Sequence, residues 1–167
     1  HLFSQGYIEW IDWIDSMEFS DDGSQVAVRL SEGKVLRNPA TILSIEDLKP
    51  IKRGAIDEVK KGQLFTQAKA LYDSADWFFQ TGAAHSSSLA IDGQVRYRFA
   101  DVSRHNTIDK IIGQALMDQV DLSRSALFTS GRIPLDMLLK VARCGIPVVG
   151  SRSAPTTAAL TMAKKLD

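Results

Sequence analysis

Ala126-Leu127-Phe128-Thr129-Ser130-Gly131-Arg132-Ile133-Pro134-Leu135 runs from a short apolar segment through a polar turn into a helix start. Residues 126 to 129 suit a buried strand. Pro134 suits a first helical turn, because the N–H it lacks would have no partner there. Leu135, Leu138, Leu139 and Ala142 keep the helical period until Gly145 ends it. The same unit lies on either side. Upstream, Asp101-Val102-Ser103-Arg104-His105-Asn106-Thr107-Ile108-Asp109-Lys110 leads into an apolar stripe of Ile108, Ile111, Ile112, Ala115 and Leu116. Asn106 is the expected N-cap there, with Asp109 at N3 as in a capping-box variant. Downstream, Ile146 to Gly150 read as a strand, and Ser151-Arg152-Ser153-Ala154-Pro155-Thr156 as the turn into a last helix capped by Ser153 or Thr156. Ala158, Ala159, Met162, Ala163 and Leu166 of that helix are small enough to lie close on a sheet. Strands joined by crossover helices, with a hairpin before them, predict an α/β fold with a mixed, largely parallel sheet, buried on both faces.

Two hairpins precede these units. Leu89 and Ile91 alternate, Asp92-Gly93 turns the chain, and Val95, Tyr97 and Phe99 alternate on the return. Nearer the start, Asp21-Asp22-Gly23 separates Met17 and Phe19 from Val26, Val28 and Leu30. Residues 44 to 80 carry a helical period broken at Gly54 and Gly62, enough for two or three helices. The division expected is a small N-terminal β lobe over residues 1–38 and an α/β domain over 39–167, or one continuous domain.

Composition narrows the class. With 167 residues, 44% hydrophobic and 24% charged, the chain can bury one substantial core. Twenty basic and twenty acidic residues cancel, so no net field draws it to nucleic acid or anionic lipid. Cys144 is the sole cysteine, which excludes an internal disulfide and a multi-cysteine zinc site. No apolar run approaches the roughly 20 residues that span a bilayer, and no signal peptide is visible. A cytoplasmic protein that binds neither nucleic acid nor membrane is the expectation.

The polar turns are the candidate site. In an open α/β sheet, the turns after the strands' carboxyl ends form the ligand crevice, and helix N-termini there offer free N–H groups to anions. Ser130, Gly131 and Arg132 offer a close backbone approach and a guanidinium; Ser151, Arg152, Ser153 and Thr156 add hydroxyls and a second one. Phosphate or pyrophosphate suits both. The bland alternative makes Ser153 and Thr156 mere caps, and Arg132 and Arg152 solvated surface charges. His85 and His105 sit at element boundaries where the crevice belongs, although a histidine in such a place is more often structural. His85, His105 and Cys144 lack any recognised zinc-ligand spacing. Cys144, near a helix C-terminus whose dipole disfavours a thiolate, reads as a packing residue, and Trp10, Trp13 and Trp77 as core or interface.

Several segments together resemble the formate dehydrogenase accessory sulfurtransferase family, FdhD. They are Leu2-Phe3-Ser4-Gln5-Gly6-Tyr7-Ile8, Thr81-Gly82-Ala83-Ala84-His85, Asp101 to Asn106 with Asp109-Lys110, Ser130-Gly131-Arg132, Ala142-Arg143-Cys144-Gly145-Ile146-Pro147, and Ser151 to Thr156. The resemblance implies a three-layer α/β/α, cytidine-deaminase-like fold without zinc, usually as a homodimer. It implies sulfur transfer from a cysteine desulfurase to the molybdenum bis(molybdopterin guanine dinucleotide) cofactor for formate dehydrogenase, or, alternatively, a non-catalytic cofactor chaperone. A guanine nucleotide would be the simple analogue. His85, Asp101, Arg104, His105, Asn106, Lys110, Ser130, Gly131, Arg132, Ser151, Arg152, Ser153 and Thr156 are the residues it points to for binding. The family's Cys-x-x-Cys relay pair is expected within residues 37–46, where this chain reads Asn38-Pro39-Ala40-Thr41-Ile42-Leu43-Ser44 and has no cysteine. The family's last strand and turn would follow Asp167. With a first residue other than methionine, the expectation is that a cysteine loop and both ends lie outside this sequence.

Overall fold

The computed structural model describes residues 1–38, 48, 66–71 and 76–166. A short 3-10 turn, Ile11–Trp13, leads into a hairpin of β1 (Ile14–Phe19) and β2 (Val26–Leu30), which pair antiparallel as a two-stranded sheet of their own. Thus the hairpin expected around Gly23 forms, with a sheet of its own. Of the helices expected over residues 44–80, residues 66–71 and α1 (Asp76–Thr81) are helical; the remainder, like the boundary at residue 39, lies outside the described residues.

The main sheet contains β3 (His85–Ile91), β4 (Gln94–Asp101), β5 (Ser125–Thr129) and β6 (Val148–Ser151), in the order β4-β3-β5-β6. β3 and β4 form the second expected hairpin, turning at Asp92 and Gly93 with φ of 50° and 80°. β3 is antiparallel to both β4 and β5, and β5 is parallel to β6. The sheet is therefore mixed, as expected, but not largely parallel: of the described strand pairings only β5–β6 is parallel. Strand-helix alternation does predict the common direction of β4, β5 and β6. It cannot say that β3 is inserted between β4 and β5.

Helices α2 (Arg104–Met117), α3 (Leu135–Arg143) and α4 (Thr157–Leu166) follow β4, β5 and β6, as the chain pattern requires. Ile108, Ile111, Ile112 and Ala115 of α2 and Met137, Leu138 and Val141 of α3 pack with Leu89 and Leu127 of the sheet. Ala126 and Phe128 point to the other face, where Leu71 covers them. Helical residues thus lie on both faces, in keeping with an α/β/α arrangement. Of the small residues on α4, Ala159 is buried and Met162 half-buried, whereas Ala158 and Ala163 are exposed.

The starts of α2 and β6 differ from expectation, while Gly145 ends α3 as expected and Thr156, one of the two expected caps, caps α4. Helix α2 starts at Arg104, not after Asn106, because the Asp101 carboxylate accepts the Ser103 N–H at 2.9 Å and turns the chain early. Helix α3 ends in a Schellman arrangement: the Ile146 N–H bonds Val141 O at 3.3 Å, the Gly145 N–H bonds Ala142 O at 2.9 Å, and Gly145 has φ +73°. That cap delays β6 to Val148. At α4 the Thr156 Oγ1 accepts the Ala159 N–H at 3.3 Å, so Thr156 is the cap and Ser153 is not.

Behind the sheet lies a polar contact that no periodicity announced. Lys140 is 1% exposed and donates to both Asp109 oxygens at 2.9 and 2.8 Å. Ser4 Oγ donates to Asp109 Oδ1 at 2.5 Å, His1 Nδ1 lies 2.9 Å from Oδ2, and Arg143 donates to Ser4 O at 3.2 Å. The segment Leu2–Ile8 is thereby tied to α2 and α3. Asp109 anchors the chain start and does not complete a capping box.

Candidate functional site

Because β4, β5 and β6 run one way and β3 the other, the carboxyl ends of three strands and the amino end of β3 meet at one edge of the sheet. The register makes this concrete: His85 pairs with Asp101, Ser87 with Thr129, and Thr129 with Ser151. The turns that precede α2, α3 and α4 all open there. Hydrogen bonds join them. Ser130 Oγ accepts the Ser86 N–H at 3.0 Å, and the Ser130 N–H bonds Ser86 O at 2.9 Å. Ser151 Oγ donates to Gly131 O at 2.6 Å, and the Arg152 N–H bonds Thr129 O at 3.1 Å. Beyond them, Ile133 bridges to Pro155.

Gly131 has a specific reason to be glycine. A Cβ there would stand 2.7 Å from Arg104 Cβ, so only a bare backbone lets the Arg104 side chain cross the turn after β5. Arg104 is half-buried, with Nε enclosed and without a hydrogen-bond partner among the described residues. Its guanidinium adds to burial in pushing His85 below the ordinary imidazole value. His105 is also pushed down, first by burial, although Asp136 lies 3.8 Å away and opposes the push.

A cavity of about 220 Å³ opens at this edge, on the sheet face carrying Phe128. His85, Ser86, Ser130, Ser151 and Arg152 line it together with Ala68, Leu71, Phe78, Ala84 and Phe128. The Arg152 guanidinium stands 5.9 Å from the centre of the Phe78 ring. Of the thirteen residues expected to bind, four line this cavity: His85, Ser130, Ser151 and Arg152. Arg104, His105 and Gly131 lie at the same edge toward α2 and α3, and Arg132, Ser153 and Thr156 continue along it.

Asp101, Asn106 and Lys110 are occupied with one another. Lys110 Nζ lies 2.7 Å from Asp101 Oδ2, Asn106 Nδ2 donates to Asp101 Oδ1 at 3.1 Å, and Lys110 holds the Asp101 carboxyl below its ordinary value. This trio shapes the β4–α2 turn. Sequence reading missed Ser86 and the apolar walls of the cavity. The signal was present, since three consecutive serines, Ser86 to Ser88, interrupt a strand otherwise suited to full burial.

Cys144 is 9% exposed, and burial pushes its thiol up to about 12, as a packing residue requires. Trp10 and Trp77 are exposed, not core, while Trp13 lies under Lys34, with Nζ 5.0 Å from the ring centre. The expected cysteine loop falls mostly on residues outside those described. No described helix is long and apolar enough to cross a membrane.

Known proteins resemble the chain throughout. The model of the FdhD/NarQ family matches residues 1–167. A sulfur carrier protein FdhD from Methanothermobacter thermautotrophicus is 30% identical over 99% of this chain and 68% of its own length. One from Halalkalibacterium halodurans is 41% identical over 63% of this chain and 39% of its own. The crystal structure of a Desulfotalea psychrophila protein, described as a formate dehydrogenase accessory protein, superimposes with a TM-score of 0.77 at 27% identity, over 99% of this chain and 66% of that one. The chain thus spans between 39% and 68% of the length of these relatives. With that whole-length match, the mixed sheet and the junctions gathered at one edge, the chain belongs to the FdhD/NarQ family.

Proposed function

We propose that this chain is the cofactor-holding part of a sulfur carrier for formate dehydrogenase. It grips the molybdenum bis(molybdopterin guanine dinucleotide) cofactor, as substrate, at the sheet edge where β4, β5 and β6 end, while sulfur arrives from a cysteine desulfurase. The observation that carries this reading is the convergence of three strand-to-helix turns and the start of β3, registered by the His85–Asp101 and Thr129–Ser151 pairs. Such an edge turns the starts of α2, α3 and α4 toward pyrophosphate, with Arg104, Arg132 and Arg152 beside them. A cavity of about 220 Å³ is below the roughly 300–1,000 Å³ of pockets that take a whole drug-sized ligand. It suits one end of a dinucleotide, with the rest laid along the edge.

Sulfur relay needs an accessible thiolate that can become a persulfide. Cys144, buried and with its thiol near 12, is unsuited to it. The relay cysteine would have to be another, in keeping with the limited share of the relatives that this chain spans. The burial of Cys144, the sole cysteine of this sequence, also favours a second reading, a chaperone that presents the cofactor without chemistry. Homodimerisation is an expectation from the resemblance, and a cytoplasmic setting one from composition.

Titration calorimetry with guanosine diphosphate tests the binding. Arg132→Ala and Arg152→Ala are each expected to weaken it by roughly 1.5–3 kcal/mol, the range for hydrogen bonds to charged groups. Unchanged affinity in both returns these arginines to the solvated surface. Incubation of the product of the complete gene with a cysteine desulfurase and cysteine separates the two readings: persulfide on it supports relay, and its absence alongside tight nucleotide binding supports the chaperone.

A further inference from the structure

We propose that the exposed face of the β1–β2 hairpin docks the formate dehydrogenase polypeptide, at an apolar recess on that enzyme ringed by lysine and arginine. This goes beyond cofactor binding and rests on the proposed service to formate dehydrogenase. Met17 pairs across the strands with Val28, and Phe19 with Val26, so all four side chains stand on one face of the hairpin. Toward the tip they are open to solvent: Met17 is 50% exposed, Phe19 71% and Val26 49%. Nearer the base, Ile14, Val28 and Leu30 are half-buried. A two-stranded sheet with a bare apolar face is marginal by itself. Here the tip is nevertheless fixed in advance. Asp22 accepts hydrogen bonds from Ser20 Oγ at 2.6 Å and from the Ser24 N–H at 3.0 Å, which hold its carboxyl down at about 2, and the Ser20 N–H bonds Gln25 O at 3.0 Å. An ordered strip carrying an exposed aromatic ring is what the core of an interface needs.

Charge selects the occupant. Residues 12–32 hold six carboxylates against one guanidinium, that of Arg29, in a chain that is neutral as a whole. Asp15, at the bulge in β1, and Asp21 and Asp22, at the turn, lie beyond the two ends of the apolar strip, and all three are exposed. Nucleic acid and anionic lipid are repelled by such a surface. A second copy presenting the same strip, as a two-fold contact requires, would set carboxylates against carboxylates. Nor does the free edge of β1 invite an added strand, since the bulge between Ile14 and Ser16 interrupts its ladder. The face is what remains, and an apolar recess with a basic rim complements it. Formate dehydrogenase is the occupant because both readings of the function bring that protein to this chain, whereas the desulfurase belongs to relay alone. The hairpin is also a separate sheet from the one whose edge holds the cargo, so changes to its face leave the binding turns intact.

The test uses the product of the complete gene and cofactor-free formate dehydrogenase from the same organism, with binding followed by interferometry at low and at high salt and thermal unfolding alongside. Phe19→Ala is expected to weaken the complex about tenfold, with the melting temperature and the affinity for guanosine diphosphate kept. Asp15→Asn combined with Asp21→Asn is expected to weaken it at low salt and to flatten its salt dependence, because salt screens a complementary rim. Undiminished binding by Phe19→Ala overturns the docking face and leaves the proposed function standing. Enzyme binding kept while desulfurase binding is lost, or while a homodimer comes apart, gives the strip another occupant and overturns the proposal. An unaltered protein that does not bind the enzyme overturns the service to formate dehydrogenase itself, and the docking with it.

Discussion

Strands β1 and β3 are written in similar apolar alternation, Met17 and Phe19 in one, Leu89 and Ile91 in the other, yet they end in opposite surroundings. β3 is buried along its interior, between β4 and β5 and with helices over it. β1 pairs only with β2, and Phe19 stays 71% exposed. Alternation reports the pleat of a strand and says nothing of what lies against its faces. Burial is decided by elements far away in sequence, and β3 has them where β1 does not.

The largest effect that would sharpen this contrast is expected at Lys140. Lys140→Ala leaves Asp109 without its charged partner, and breaking a buried pair costs about 3–5 kcal/mol, which urea unfolding would register. A loss below about 1 kcal/mol would mean that the network behind the sheet is merely a solvated face. Next comes a paired comparison. Leu127→Ala, at 0% exposure, is expected to cost about 2–5 kcal/mol, whereas Phe19→Ala is expected to stay within about 0.5 kcal/mol. Similar costs in the two would break the contrast between the two sheets. A smaller change, about 1 kcal/mol, is expected when Thr156→Ala removes the α4 cap, and Ser153→Ala should cost less in the same unfolding experiment.

The pH dependence is gentler. His85 and His105 are both held below the ordinary value of 6.5, so above it they are neutral in the folded and the unfolded chain alike. Below it the unfolded chain takes up protons that the folded chain refuses, and stability falls as pH drops through 6.5. Asp101 adds a second loss in the same direction: its stabilisation is present above 3.8 and disappears as pH falls through its lowered folded value. Replacing both histidines with glutamine should flatten the first phase in a melting-temperature series and leave the second.

What could be read in advance follows from this physics. Each strand-to-helix unit was legible because Pro134, Gly145 and the apolar stripe of α2 act locally, through caps and period. The shared edge was legible too, since crossover helices force β4, β5 and β6 into one direction. The place of β3 was not, because strand order depends on pairings between distant segments. Nor was the start of α2, where the Asp101 carboxylate, invisible to periodicity, outcompetes Asn106 for the turn. Among the site residues, the polar turns announced themselves; the serine run Ser86 to Ser88 was visible too, but its place beside the cavity follows only from the pairing of β3 with β5.

Photolabelling with 8-azidoguanosine diphosphate, followed by peptide mapping, tests the central claim most directly. Labels on the peptides carrying Phe78, His85 and Ser130, suppressed by excess guanosine diphosphate, are the predicted result. Labels on the β1–β2 hairpin, or on the opposite edge at Asp92 and Gln94, would contradict the account.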